Sequence, residues 1–360
     1  MLDLSLPGHA LTAALVDVPS ESGDETPLAD LVEAALRRYP DLNVERDGNV
    51  VLARTTLGRD QRVALAGHLD TVPIADNVPS RREGDRLFGC GTSDMKSGVA
   101  VQLRVAHLVG SRQLDPGVDL TWVFYDCEEV EAERNGLGRL ARTRPDALAA
   151  DLAVVLEGTS GRVEGGCQGT LRAVVTVRGE RAHSARSWLG VNAIHAAGPV
   201  LARLAAYEAR TVDVEGLTYR EGLNAVGIAG GVAGNIVPDE CTVSVNFRFA
   251  PDRSETDAAA YVREVLGDWP VEIVDSAPAA RPGLDAPLPK AFAAAVGGEP
   301  QPKYGWTDVA RFAQLGIPAL NFGPGEPNLA HKPEEYVEVP RIAEAEAALI
   351  RFLRDLPSRA

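Results

Sequence analysis

The chain changes its structural rhythm in mid-sequence and later changes back. Up to about residue 165, short β-branched runs alternate with helical patterns. Arg62–Gly67 (RVALAG), Leu120–Tyr125 (LTWVFY) and Leu152–Leu156 (LAVVL) read as buried strands, and Val99–Leu108 (VAVQLRVAHL) reads as a helix. Strands alternating with helices predict a parallel α/β sheet. After the glycine-rich stretch 165–169 (GGCQG) the strands become half-exposed. A strand at Thr170–Arg178 is followed by a helical pattern at Asn192–Ala209, strands at Leu223–Ala229 and Cys241–Phe249, a helix at Ser254–Leu266 and a strand at Val271–Val274. That order is β-α-β-β-α-β, the ferredoxin-like unit. The Ala- and Pro-rich segment Ala277–Pro289 then leads back to a buried strand at Ile317–Phe322 and a terminal helix at Arg341–Leu353. The predicted fold class is therefore α/β. A domain of residues 1–167 and 282–360 has a central, mostly parallel sheet, and an inserted ferredoxin-like domain spans 168–281; loop tips of a host domain tolerate such insertions.

A chain of 360 residues is long enough for two domains, and 45% hydrophobic residues can fill two cores. Its formal net charge of -15 argues against a nucleic-acid partner, since no basic stripe exists to displace counterions from phosphate. No apolar run approaches the roughly 18–20 residues of a membrane span. The N-terminal stretch has no basic residue ahead of its short apolar run, so it does not read as a secretory signal. Cys90, Cys127, Cys167 and Cys241 are scattered without a C-x-x-C pair, and a reducing cytoplasm is the expected location.

Chemistry-bearing residues gather at one structural address. His68 and Asp70 (GHLD) follow the first of these strands, Glu128 and Glu129 (DCEEV) the second, and Glu157 the third. His331 lies in the loop after the strand at 317–322, and Asp94 comes from the glycine-rich stretch 89–98 (GCGTSDMKSG) just ahead of a helix. Ligands of open α/β sheets bind outside the carboxyl ends of the strands. Imidazoles with carboxylates and no thiolate are the donor set of a hydrolytic zinc or cobalt site. One bridging carboxylate, with a His and a carboxylate for each ion, would make a two-metal centre that activates water. Asp70, two residues along an extended segment from His68, is placed to orient its imidazole.

The set GHLDTVP at 67–73, GTSDMK at 91–96, Glu128-Glu129 and the late His331 resembles the M20 family of di-zinc aminoacylases and peptidases. The resemblance implies a catalytic α/β domain interrupted by a ferredoxin-like lid and dimerisation domain, and hence a homodimer. It implies two zinc ions, for which cobalt may substitute, with His68 and Glu157 on one, Glu129 and His331 on the other, and Asp94 bridging. Glu128 would be the general base and Asp70 the orienter of His68. Within the family, 165–172 (GGCQGTLR), 181–188 (RAHSARSW) and 234–238 (GNIVP) are similar to the branch that releases a succinyl group from an amino acid. This implies hydrolysis of N-succinyl-LL-2,6-diaminopimelate to succinate and LL-2,6-diaminopimelate. It also implies substrate-binding roles for Thr170, Asn235 and Arg248, and a catalytic His183 that reaches the partner subunit's active site. Other members deacylate acetylornithine-like substrates or cleave dipeptides, and a non-catalytic metal-binding protein on the same fold would leave Glu128 without a use.

Plainer readings compete at several positions. Glu128-Glu129 with Glu131 and Glu133 would, in isolation, be a solvated acidic run. Asp94 has the residue type of a helix N-cap. A histidine between Ala182 and Ser184 is ordinarily an exposed loop residue, and Arg172, Arg178, Arg181 and Arg186 either solubilise that domain or attract a carboxylate-rich substrate. His9, His107 and His195 have no partner motif, and Cys90 and Cys127 read as small buried fillers.

Overall fold

The computed structural model describes residues 2–357. The chain divides into two compact units: Met1–Gly165 with Pro282–Gln301 and Thr307–Ala360, and Gly166–Arg281 with Pro302–Trp306.

In the first unit the large sheet runs, in spatial order, through Asn43–Asp47, Val50–Arg54, Asp119–Tyr125, Arg62–His68, Leu152–Val155, Ala319–Asn321 and Glu164–Gly165. Four of these neighbours, Asp119–Tyr125, Arg62–His68, Leu152–Val155 and Ala319–Asn321, are parallel. The outer strands pair antiparallel. The parallel strands are buried on both faces, which explains their unbroken apolar runs. Helices Gly8–Val16, Lys96–Gly110, Pro287–Val296 and Val339–Asp355 pack on one another and share a core with the sheet. Phe292 joins two elements by edge-on contacts with Phe322 and Phe352, at centroid distances of 5.2 and 5.0 Å.

The second unit has its own core. Its antiparallel sheet is ordered Gly222–Gly230, Glu240–Phe249, Gly169–Arg178, Val271–Ala277, which is the ferredoxin-like order. Ser254 caps the helix Glu255–Leu266 through a reciprocal box with Asp257. Two details differ from expectation. The helical stretch expected over 192–209 is two short helices, Ala193–Ala196 and Gly198–Ala205, because Pro199 has no N–H to continue the first and instead opens the second. A hairpin, Thr211–Val214 with Leu217–Arg220, was not expected; its two-residue turn places both Glu215 and Gly216 at positive φ.

Candidate metal centre

The carboxyl ends of the four parallel strands lie side by side, with His68 opposite Tyr125 and Ala66 opposite Val155 in register. The chain leaving each end supplies one group of the expected set. Close backbone approach brings the remaining pieces in. A Cβ on Gly98, in the first turn of the helix Lys96–Gly110, would lie 2.0 Å from the Leu156 carbonyl oxygen, one residue before Glu157. A Cβ on Gly325 would lie 2.0 Å from the carbonyl oxygen of Ser93, one residue before Asp94. Only glycine permits either contact.

Two triads of donor atoms result, and they share a member. His68, Asp94 and Glu157 offer ligand atoms within 4.8 Å of one another, and so do Asp94, Glu129 and His331. A third grouping, His68 with Glu128 and Glu129, puts Glu128 against the same centre. His68 Nε2 lies 3.2 Å from Asp94 Oδ1, and His331 Nε2 lies 3.4 Å from Asp94 Oδ2 and 3.0 Å from Glu129 Oε2. Asp94 is thus not a helix N-cap; Met95 holds that position and offers no side-chain bond. On the far side of the His68 ring, Nδ1 faces the Asp70 carbonyl at 3.0 Å and the Asp70 carboxylate at 3.5 Å. With its proton on Nδ1, the ring presents Nε2 as a lone pair.

Charge in this cluster follows from burial and pairing. Burial works against a charged His68 ring, yet hydrogen bonds to Asp70 and Asp94 hold its pKa well above the usual imidazole value. Burial would also raise Asp94, but hydrogen bonds from His331 and His68 keep it well below the ordinary carboxylate range. His331 is raised to about 10, by Asp94 first and then Glu129. Burial pushes Glu128 well above its normal value, against the pull of His68 and with help from Glu157, Asp308 and Glu129. Burial and the Asp94 charge raise Glu129 as well. A cluster that pulls protons onto its imidazoles and carboxyls is short of positive charge. Two divalent cations would bring four charges to the four carboxylates Asp94, Glu128, Glu129 and Glu157, so these residues fit a two-metal centre.

Sequence reasoning missed the supports. Glu335, buried, accepts the N–H groups of Gly91, Ser93 and Asp94 at 3.0, 2.7 and 3.0 Å, and so fixes the loop that carries Asp94. Burial raises its pKa to about 7 despite these donors. Four residues after His331, it offered a signal only as one acidic residue in a Lys-Pro-Glu-Glu turn. Tyr125 and Asp308 are fully buried, and Asn135 donates to Asp308 at 3.1 Å. His107 is tied up by the Tyr39 hydroxyl at 2.7 Å, and Cys90 and Cys127 are buried thiols.

The other four expected site residues lie in the second unit. Thr170 and Arg248 are register partners on adjacent strands. Arg248 is half-buried, which lowers its pKa, and it has no carboxylate partner among the described residues. His183 and Asn235 are also neighbours: His183 pairs with Ile236, and Ser184 N–H donates to the Asn235 carbonyl at 2.9 Å. His183 Nδ1 accepts the Ala185 N–H at 3.0 Å, which leaves the ring proton on an exposed Nε2.

Known proteins share this layout. The profile of peptidase family M20/M25/M40 matches residues 64–355. A Mycobacterium tuberculosis protein provisionally named succinyl-diaminopimelate desuccinylase is 57% identical over 356 residues, covering 98% of this chain and 99% of its own. A Corynebacterium glutamicum protein named succinyl-diaminopimelate desuccinylase is 50% identical over 365 residues, 98% of each chain. Among solved structures, a Staphylococcus aureus tripeptidase superposes with a TM-score of 0.80 at 18% identity over 99% of both chains. The Bacillus subtilis YXEP protein, described as a dinuclear metal-binding peptidase of the M20 family, gives 0.69 at 16% identity over 96% of this chain and 97% of its own. At such identities the structural likeness speaks for the fold alone.

Proposed function

The chain belongs to peptidase family M20/M25/M40, and we propose that within it the protein hydrolyses N-succinyl-LL-2,6-diaminopimelate to succinate and LL-2,6-diaminopimelate, a step of lysine and diaminopimelate biosynthesis. The observation that carries this reading is the full-length likeness, at 57% and 50% identity, to relatives named for that activity. The enzyme is a metal-dependent amide hydrolase of a dinuclear family, and the paired donor triads support two ions here.

In this proposal His68 and Glu157 would hold one zinc ion and Glu129 and His331 the other, with Asp94 serving both. Ions held there would polarise the scissile carbonyl and lower the pKa of a water beside it. Asp70 keeps the His68 proton on Nδ1. Glu128 takes the proton of the attacking water and delivers it to the departing amine as the C–N bond breaks, so water's oxygen ends in succinate. His183, through its Nε2–H, donates to the oxyanion that develops on the carbonyl. Arg248, with Thr170 and Asn235, receives the substrate's carboxylate end, and a half-buried guanidinium with no carboxylate partner among the described residues supports that role.

The protein is further proposed to be a cytoplasmic homodimer. Four buried cysteines, none in a disulfide among the described residues, suit a reducing compartment, and among the described residues no helix is long and apolar enough to cross a membrane. The edge strand Gly222–Gly230 is exposed along most of its length and carries Val226 and Ile228 outward, which supports pairing with a second copy. A turnover panel of N-succinyl-LL-2,6-diaminopimelate, N-acetylornithine and dipeptides, run on zinc-loaded protein, tests the substrate. Highest kcat/KM is expected for the succinyl compound; a faster acetylornithine or dipeptide reaction sinks the assignment.

A further inference from the structure

Three consecutive amide groups, those of residues 127–129, carry the loop that presents Glu128 and Glu129, and carboxylates take all three. The N–H groups of Glu128 and Glu129 donate to the two oxygens of Asp70, each at 3.1 Å. The N–H of Cys127 donates instead to Glu25 Oε1 at 3.1 Å, and the Cys127 thiol lies 3.4 Å from the same oxygen. Glu25 is 102 residues away in sequence and fully buried. Gly23 N–H also donates to it at 2.8 Å, and Asn49 Nδ2 at 3.4 Å. Cys127 itself sits at φ 56°, a left-handed conformation that an L-residue with a Cβ disfavours and holds only when its surroundings enforce it.

The segment that carries Glu25 grips the neighbouring strand end as well. Ser20 Oγ donates to the Leu69 carbonyl and Ser22 Oγ to Asp70 Oδ2, both at 2.7 Å. Residues 20–25 therefore hold both ligand-bearing loops, and none of them belongs to the two donor triads that share Asp94.

We infer that Glu25 is a positioning residue for the reaction: by holding Cys127 in its left-handed turn, it sets where Glu128 and Glu129 project. The inference rests on the proposed roles of those two residues. It assigns to Glu25 the work of a hydrogen-bond acceptor, which an amide oxygen can replace but a shortened or missing side chain cannot.

The test compares zinc- and cobalt-loaded Glu25→Gln, Glu25→Asp and Glu25→Ala with wild type. A core truncation in the C-terminal helix, Leu349→Ala, serves as a control for lost stability. Glu25→Gln should keep kcat within about threefold. Glu25→Asp and Glu25→Ala should lose about ten- to a hundred-fold in kcat, the range expected of a misplaced reacting group. Their KM should stay within about twofold, both metals should remain bound, and the visible absorption bands of the cobalt form should shift, because Glu129 has moved. Leu349→Ala should melt earlier yet keep kcat and the cobalt spectrum. Wild-type kcat and spectrum in Glu25→Asp or Glu25→Ala overturn the inference, as does a Glu25→Gln variant as impaired as the alanine one. If the alanine variant does not fold, the aspartate variant carries the comparison. Glu128→Gln run in parallel separates the premises: retained kcat there sinks the base assignment, while the cobalt spectrum still reports whether Glu25 controls Glu129.

Discussion

Glu128 and Glu129 share a side chain and differ in their partners. Burial raises both toward the neutral form, but Glu129 meets the His331 imidazole at 3.0 Å, whereas Glu128 hydrogen-bonds no imidazole among the described residues. Glu128→Gln should therefore leave metal content nearly intact and reduce kcat by about a hundred- to ten-thousand-fold, the usual share of general-base catalysis. Glu129→Gln should instead lower metal occupancy, read by elemental analysis after dialysis; swapped phenotypes would exchange the two roles. His331 makes a second prediction. Its pKa, raised to about 10 chiefly by Asp94, means that the ring is protonated at pH 7 in the metal-free protein. A metal ion must displace that proton, so affinity should fall as pH falls, by about tenfold per unit between pH 9 and 7 from this one group. Metal loading in weakly buffered solution should acidify it measurably, and less so in His331→Ala. Affinity independent of pH over that range would remove His331 from the ligand set.

Among the elements, what the sequence made legible was the address of the site. Short, unbroken, β-branched and aromatic runs such as LTWVFY read as strands buried on both faces, and parallel strands place their carboxyl ends together. Each proposed ligand immediately after such a run could therefore be nominated from sequence. Glu335, Glu25 and Asp308 could not, because their work is to accept N–H groups from segments far away in sequence, and no local period encodes that. The hairpin at 211–220 was missed for a different reason: its Glu-Gly turn is a weak signal between strands of only four residues each. The glycines at the site were visible, but the contacts that require them were not. Gly98 yields a test of how one helix positions one ligand. Its Cα faces the Leu156 carbonyl so closely that Gly98→Ala must push the helix start away from the strand end before Glu157. The variant should lose about 2 kcal/mol or more of stability, as overpacked sites do. Loss should fall first on the metal that His68 and Glu157 are proposed to hold, so titration with zinc should show one tight and one weakened site. Two sites of unchanged affinity would mean that the helix start is free to adjust.

Among the described residues each unit has a hydrophobic core of its own, and the exposed apolar side chains are concentrated in the second unit. Trp188 is 76% exposed and Leu189 61%, with Val191, Val226, Ile228 and Val232 all more than half exposed. A lone chain gains nothing by presenting such a surface to water, whereas a self-complementary pairing about a two-fold axis buries it twice. Within the proposed dimer, His183 serves the partner subunit's substrate, and this cross-subunit arrangement can be tested by complementation. His183→Ala should be nearly inactive as a homodimer, by about a hundred- to a thousand-fold for a lost oxyanion donor, with both metals retained. Glu128→Gln should be inactive for its own reason. When the two are mixed, unfolded and refolded together, random pairing makes about half of the dimers hybrid. In each hybrid, one active site has its own Glu128 and receives an intact His183 from the Glu128→Gln chain; the other lacks both. About a quarter of wild-type activity should return, and it should track the hybrid fraction resolved by differential tagging. If His183 instead acts within its own chain, every hybrid joins one site without a base to one without the oxyanion donor. Activity then stays at the level of the parent variants, and the cross-subunit role is excluded while the metal centre and its base stand untouched.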